Sequence, residues 1–259
     1  MRYRKTFFAL VFTSAFILAF ASCVSNFGGV TGTAVKPAVD YRQLAVQLRD
    51  NLYGNNSRQA KTQNGQLPDI DTADWMLKLV NVENPLEADF EPPLAENADM
   101  YLFDSRAVST LDAFLNAGRA AGYPFTLTSA YRSHSYQQML FEEKADTYMI
   151  SGYSREDAEL EAAFIVARPG TSEHQLGLAA DIVSENYPYL EEGFGSSGDA
   201  KWLRENCAEY GFILRYADDK IDITGIIHEP WHFRYVGTQA AQFIMENDLC
   251  LEEFLELYY

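Results

Sequence analysis

The stretch that decides the fold is Ser-Glu-His-Gln-Leu-Gly-Leu-Ala-Ala-Asp at residues 172–181. From Leu176 to Val183 the larger apolar side chains alternate with a second set that includes Gly177, Ala179 and Asp181. Such alternation predicts a β-strand, because successive side chains of a strand point to opposite faces. The small neighbours leave room beside Asp181 for a ligand and a substrate. The stretch therefore predicts a strand that presents a carboxylate to a site.

A second stretch, Glu-Pro-Trp-His-Phe-Arg-Tyr at residues 229–235, carries another histidine and another carboxylate. Two imidazoles and one carboxylate suit a zinc site that keeps a fourth position open for water. We therefore predict that Zn²⁺ is held by His174, Asp181 and His232. Glu229 suits the general base that accepts the proton of that water.

The spacing by itself leaves a plainer interpretation open, because single histidines are more often surface or core residues than metal ligands. Pro230 excludes a helical His-Glu-x-x-His arrangement, since proline breaks a helix. On an extended chain, residues three apart face opposite sides. Glu229 and His232 can therefore face one metal only if the chain bends at Pro230.

The rest of the pattern predicts an α+β domain over residues 74–259, with a mostly antiparallel sheet flanked by helices. Strands are predicted at 76–82, 125–130, 176–183, 212–216, 223–228 and 231–236. Helices are predicted between Asp104 and Gly122, at 135–150, at 154–167 and between Asp199 and Gly211, followed by two short C-terminal helices. Asp104 and Asp199 are predicted to cap their helices.

The N-terminus has the features of an export signal over residues 1–22. A basic start precedes the apolar run Phe7–Phe20, which is shorter than the ~20 residues that span a bilayer. Cys23 follows two small residues and resembles a bacterial lipoprotein processing site; ordinary cleavage nearby is the alternative. We expect a lipidated Cys23, a tether over 23–73 with a possible helix at 41–52, and a membrane-anchored location in the bacterial envelope.

Net charge is −17, which disfavours nucleic acid as a partner because phosphate backbones repel an acidic protein. Downstream of Cys23 the chain has two cysteines, Cys207 and Cys250. In an exported protein they can pair, or each can be a small buried hydrophobe. The sequence leaves both alternatives open.

Several motifs occur together in one order. They are Ser129-Ala130-Tyr131-Arg132-Ser133, Gln137, Ser172-x-His174-x-x-Gly177-x-Ala179-x-Asp181, Gly211-Phe212-Ile213-x-Arg215-Tyr216 and Glu229-Pro230-Trp231-His232-Phe233-Arg234-Tyr235-Val236-Gly237. Over about residues 74–240 this order resembles the VanY-type D-alanyl-D-alanine carboxypeptidases. The resemblance implies a hedgehog/D-Ala-D-Ala-peptidase-like zinc fold.

The resemblance also implies roles for individual residues. It assigns His174, Asp181 and His232 to zinc and Glu229 to general-base catalysis. Arg132 can bind the substrate carboxylate or a developing oxyanion. Substrate hydrogen bonds are predicted for four further residues, Ser129, Tyr131, Gln137 and Ser172. Arg215 and Arg234 are interpreted as structural partners of acidic groups, and His228 as a residue that fills space or tunes its neighbour.

The predicted function is that of a zinc-dependent D-alanyl-D-alanine carboxypeptidase that trims peptidoglycan stem peptides. The alternatives are an L,D-carboxypeptidase or a D,D-dipeptidase of the same family, a silent zinc module that binds wall peptides, and a structural envelope lipoprotein. An intact Glu229 argues against the silent module, because losing the base would silence such a site.

Overall fold

The computed structural model describes residues 67–258, in which helices flank two antiparallel sheets. The strands are β1 (Leu94–Glu96), β2 (Leu102–Asp104), β3 (Phe125–Ser129), β4 (Ala179–Ser184), β5 (Phe212–Leu214) and β6 (His232–Tyr235). The α-helices are α1 (Val108–Ala120), α2 (His134–Ile150), α3 (Arg155–Ala163), α4 (Gly198–Asn206), α5 (Ile221–Thr224), α6 (Thr238–Glu246) and α7 (Leu251–Glu256). Shorter 3-10 turns cover Trp75–Leu77, Glu173–Leu176, Glu192–Ser196, Cys207–Tyr210 and Asp218–Lys220. The predicted α+β class is confirmed.

The larger sheet has the order β3-β4-β6-β5, and its neighbouring strands are antiparallel. In its register Asp181 on β4 lies opposite His232 on β6 and, on the other side, opposite Ser129 on β3. A register shift between Leu127 and Ser129 breaks the β3–β4 ladder next to Asp181, and such bulges redirect side chains. One row of the sheet thus joins three distant parts of the sequence.

Helices cover both faces of this sheet. On one face α1 places Phe114 against Phe212, with ring centroids 5.4 Å apart, and against the edge of Phe233 at 5.9 Å. On the other face Ile213 belongs to a buried cluster with residues of α6 and α7, including Phe254. Because β5 and β6 are packed on both sides, the start of β6, where His232 lies, is held firmly.

Two predicted strands are wrong, and the first of them is 76–82. Trp75–Leu77 forms a 3-10 turn, and residues 78–82 form no strand. The guanidinium of Arg234 donates to the backbone carbonyls of Met76 at 3.0 Å and Lys78 at 2.9 Å. These carbonyls bind a buried charged side chain instead of a neighbouring strand.

The second wrong strand is 223–228, where the chain forms α5, turns at Gly225 with φ +72° and then runs irregularly. The Thr224 hydroxyl donates to the carbonyl of Lys220 at 3.1 Å, which closes the helical turn. The consecutive apolar residues Ile226 and Ile227 line a cleft instead of a sheet face. Apolar residues can be covered by a cleft wall as well as by a sheet, and here they belong to the wall of the cleft.

Several predicted boundaries also shift. Asp104 does not cap α1; its carboxylate pairs with Arg106, and α1 starts at Val108 without a side-chain cap. Asp199 lies inside α4, which is capped by the hydroxyl of Ser197. The helix predicted at 154–167 ends at Ala163, the strand predicted at 176–183 is Ala179–Ser184, and β1 and β2 were missed as strands.

The predicted signal peptide, Cys23, the possible helix at 41–52 and most of the tether lie outside the described residues. The described chain contacts the domain upstream of the predicted boundary at residue 74, since the Tyr258 hydroxyl donates to the Pro68 carbonyl at 2.8 Å. Within residues 67–258, no helix is long and apolar enough to cross a membrane. Cys207 and Cys250 are buried and free, as small hydrophobes are.

Candidate metal centre

The three predicted ligands come together beside the paired central strands β4 and β6. His174 comes from the 3-10 turn before β4, while Asp181 and His232 lie on β4 and β6. All three are buried, and one ligand atom from each lies within 4.8 Å of the others. The turn ends at Gly177 with φ +69°, where an added Cβ would lie 3.2 Å from the Asp104 backbone nitrogen. Glycine at this point lets the chain pass from His174 into β4.

Each histidine presents a different ring nitrogen to the centre. Nδ1 of His174 lies 2.5 Å from the Ala130 carbonyl, which assigns the proton to Nδ1 and leaves Nε2 as a free lone pair. Nδ1 of His232 lies 3.2 Å from Oδ1 of Asp181. His174 Nε2 and Asp181 Oδ1 are buried without a hydrogen-bond partner among the described residues. Buried polar atoms left without partners around one point fit a zinc ion.

Burial lowers the pKa of His174 to about 4, so this imidazole is neutral at neutral pH. Burial also opposes protonation of His232, but the carboxylates of Asp181, Glu173 and Glu229 around its ring raise its pKa to about 9. Zinc binds neutral imidazole, and the proton on His232 must therefore leave when the metal binds.

Glu229 reaches the centre because the chain bends where Pro230 stands. The His232 backbone N–H donates to the Glu229 carbonyl at 3.0 Å, which closes a turn of the kind the sequence required. Oε2 of Glu229 then lies 3.5 Å from Nδ1 of His232. Burial raises the pKa of Glu229 to about 8. A dication held beside it would oppose this shift, since a nearby positive charge favours the carboxylate.

Arg132 is held on three sides beside the metal ligands. Its Nε donates to Ser129 Oγ at 2.9 Å, its Nη1 to Gln137 Oε1 at 3.1 Å and its Nη2 to Asp181 Oδ2 at 2.8 Å. A guanidinium has five N–H groups, so these bonds leave two for another acceptor. The pairing also occupies one oxygen of Asp181 and leaves Oδ1 for a metal.

The predicted substrate contacts divide into two groups. Ser129 and Gln137 accept hydrogen bonds from Arg132, and Gln137, which also lines the cleft, donates from its amide to the Ala167 carbonyl at 2.7 Å. These two residues position the guanidinium. Ser172 lines the cleft and accepts a hydrogen bond from the backbone of the 3-10 turn, whereas Tyr131 is absent from the described residues that line it.

The centre lies in an open cleft of about 740 Å³. One part of its lining is apolar and another is acidic. The apolar residues include Leu140, Ile165, Val166, Ile226 and Ile227, and the acidic ones include Glu143, Glu191 and Glu192. His228 also lines the cleft, and an added Cβ at Gly195 would lie 3.3 Å from its ring. A cleft of this size can hold a peptide segment.

Sequence reasoning missed Glu173, which lies fully buried directly before His174. Its Oε1 accepts hydrogen bonds from Arg215 Nε at 2.8 Å and Arg234 Nη1 at 2.7 Å. Arg215 also forms a two-pronged pair with Glu252 at 2.8 and 2.6 Å. The interpretation of both arginines as structural partners of acidic groups is confirmed. The alternation pattern could not reveal Glu173, because a 3-10 turn has no period-2 face.

Comparisons with known proteins agree with this geometry. Residues 101–238 match the family model described as D-alanyl-D-alanine carboxypeptidase, VanY. A D-alanyl-D-alanine carboxypeptidase of Enterococcus faecalis (strain ATCC 700802 / V583) is 37% identical over 252 residues, which cover 94% of this chain and 89% of that protein.

Two solved structures are similar as well. A variant of the vancomycin resistance D,D-pentapeptidase VanY in complex with Zn(II) has a TM-score of 0.62 and 42% identity, covering 70% of this chain and 99% of that one. VanYB in complex with D-alanine-D-alanine has a TM-score of 0.64 and 41% identity, covering 72% and 100%.

Proposed function

The chain belongs to the VanY family of D-alanyl-D-alanine carboxypeptidases, and from that premise we propose that it removes the terminal D-alanine of peptidoglycan stem peptides in a zinc-dependent reaction. One observation carries the proposal: ligand atoms of two buried imidazoles and a buried carboxylate lie within 4.8 Å of one another, and their residues line an open cleft together with Glu229. The intact base favours an enzyme over a silent binding module.

His174 Nε2, Asp181 Oδ1 and His232 Nδ1 would hold the metal. When bound, zinc polarises the scissile carbonyl and lowers the pKa of water. Glu229 accepts the proton of the attacking water and delivers it to the leaving amine, because its carboxylate lies 3.5 Å from His232 Nδ1 and lines the cleft that admits the substrate.

Arg132 supplies fixed positive charge beside this reaction. Its two remaining N–H groups are available to the developing oxyanion or to the terminal carboxylate of the substrate. Ser129, Gln137 and Asp181 hold the guanidinium in one orientation. Little reorganisation is then needed when negative charge appears, and that is how fixed donors contribute to catalysis.

Arg132→Lys should impair the enzyme, because an ammonium keeps the charge but cannot make the forked contacts that hold Arg132. Steady-state kinetics with a stem pentapeptide separate the roles. A rise confined to KM indicates carboxylate binding, and a fall in kcat indicates oxyanion stabilisation.

The matched control is Arg155→Lys, since Arg155 is an exposed α3 residue paired with Glu159. It should leave both constants unchanged, because surface pairs contribute little. Wild-type constants for Arg132→Lys would remove Arg132 from the site.

The substrate is tested with defined tetra- and pentapeptides and chiral identification of the released amino acid. We expect D-alanine from a pentapeptide that ends in D-Ala-D-Ala, and loss of release when zinc is chelated. Release from the tetrapeptide alone would make the protein an L,D-carboxypeptidase. Release from free D-Ala-D-Ala alone would make it a dipeptidase, and zinc binding without any release would leave a binding module.

For the N-terminus we propose that Cys23 is the lipidated first residue of the mature protein and holds it at a membrane. The small residues before Cys23 and the short apolar run upstream support this. Intact-mass analysis of the full chain extracted from bacterial membranes should give an acylated N-terminus at Cys23. Cys23→Ala should abolish membrane retention. A mature chain that starts elsewhere without acyl mass contradicts the anchor and leaves the peptidase proposal untouched.

A further inference from the structure

One carboxylate oxygen of Glu173 takes no part in the ion pairs that this residue forms with Arg215 and Arg234. Its side chain is 0% exposed, and both arginines donate to the same oxygen, Oε1. The other oxygen, Oε2, is buried without a hydrogen-bond partner among the described residues. A buried carboxylate oxygen without a donor is costly, so a donor is expected nearby.

The facing donor is His232. Oε2 of Glu173 lies 3.6 Å from Nε2 of His232, and that nitrogen is also buried without a partner in the described part of the chain. The two atoms face each other just beyond hydrogen-bond distance, and a shift of a few tenths of an ångström closes the bond. The opposite ring nitrogen, Nδ1, is the one that lies beside Asp181.

We propose that Glu173 is a positioning residue for the zinc site: its Oε2 accepts the Nε2 proton of His232 and so keeps Nδ1 as the lone pair that faces the metal. The proposal deepens the proposed zinc-peptidase function and rests on it. Ala130 does the same for His174 with its backbone carbonyl. The two ligands are thus oriented through opposite ring nitrogens, one by a carbonyl and one by a carboxylate.

The residues around Glu173 allow its carboxylate to stay ionised although it is buried. Two buried guanidinium groups, those of Arg215 and Arg234, donate to its Oε1 at 2.8 and 2.7 Å and balance the charge of the carboxylate. Glu252 balances the second arginine through its two-pronged pair with Arg215. Arg215, Arg234, Glu173 and Glu252 together hold two positive and two negative charges. A neutral His232 beside them therefore leaves no charge unpaired.

Chain geometry links this carboxylate to the first ligand. Glu173 and His174 are adjacent in one 3-10 turn, whose Ser172 cap and Gly177 end fix both side chains. One turn therefore supplies a metal ligand on one side and the orienting acceptor for His232 on the other. A change in this turn would alter both histidines together.

The test is zinc affinity, measured on purified protein by competition with a chromogenic chelator. In Glu173→Gln the amide oxygen would face the two arginines, and the amide NH₂ would then face His232 Nε2. Two donors would meet, which favours the imidazole form whose proton is on Nδ1 and cannot bind metal there. We expect zinc to bind ~10–100-fold more weakly, the range for removing a residue that orients a ligand.

Glu252→Gln is the matched control, since it removes a charge from the same arginine pair without touching His232. It should lower Tm and leave zinc affinity at the wild-type value. Glu173→Asp keeps the charge between the arginines, which favours folding, but shortens the reach toward His232 and should also weaken zinc binding. Wild-type affinity in both Glu173 variants, or equal losses in Glu173→Gln and Glu252→Gln, overturns the proposal.

A measurement on the unmutated protein decides the question if the variants do not fold. Long-range ¹H–¹⁵N correlation spectra of the zinc-loaded chain should show His232 protonated at Nε2 and His174 protonated at Nδ1. A proton on Nδ1 of His232 overturns the proposal. Failure of the proposed function would appear differently, as a wild-type protein that binds no zinc or releases no D-alanine.

Discussion

Glu229→Gln should retain zinc and lose at least ~100-fold in turnover, in the range expected for removing a general base. Glutamine keeps the size of the side chain, so the turn that carries it and the burial of the site should persist. The amide cannot accept the proton of water, and this is the function that the position beside His232 assigns to the carboxylate. Single-turnover assays together with metal analysis measure the two quantities separately.

The control is Glu205→Gln, the same chemical change on the exposed face of α4, where Glu205 pairs weakly with Lys201 at 3.8 Å. Its turnover should equal that of the wild type. If Glu229→Gln hydrolyses pentapeptide at a rate close to the wild type, another group carries the proton. If it loses its zinc, the carboxylate acts through the metal site instead.

His174→Ala and His232→Ala should each lose zinc and activity together. Each removes one of three donors, and two remaining donors do not hold a catalytic zinc firmly. The loss of affinity should exceed the ~10–100-fold typical of removing a residue that only orients a ligand. Zinc content by elemental analysis and hydrolysis of pentapeptide, measured on the same preparation, test the link.

His228→Ala provides the matched control, because His228 lines the same cleft but lies outside the ligand cluster. It should keep full zinc content. Full zinc retention in both His174→Ala and His232→Ala would show that the assigned ligands are wrong. Zinc loss in His228→Ala would show that zinc content reports general disruption of the cleft.

The fold could be predicted where local pattern and burial agree. The strand Phe125–Ser129 and the helix His134–Ile150 lie close to their predicted positions, 125–130 and 135–150, because the patterns that predict them are local. The strands predicted at 76–82 and 223–228 failed for one reason. In the first, the Met76 carbonyl accepts from Arg234; in the second, Ile226 and Ile227 line a cleft; in both, the local pattern does not show which distant group the segment meets.

The candidate site likewise has residues that the sequence predicts and one that it does not. Residue types and order pointed to His174, Asp181, His232 and Glu229, because few side chains bind zinc or accept a proton from water. The bend at Pro230 could be stated as a requirement but not placed. Glu173 could not be found, since its function depends on donors that lie 42 and 61 residues away, Arg215 and Arg234.

The sequence alone determined the chemistry of this protein: which side chains can bind a metal, which one can act as a base, and that strands and helices share one domain. Only the tertiary structure decided how these groups meet. The β4–β6 register sets Asp181 opposite His232, and Arg132 pairs with Asp181 across 49 residues of sequence. The physical reason is that side-chain chemistry is carried by each residue, whereas register, ring orientation and charge pairing arise only when distant segments pack together.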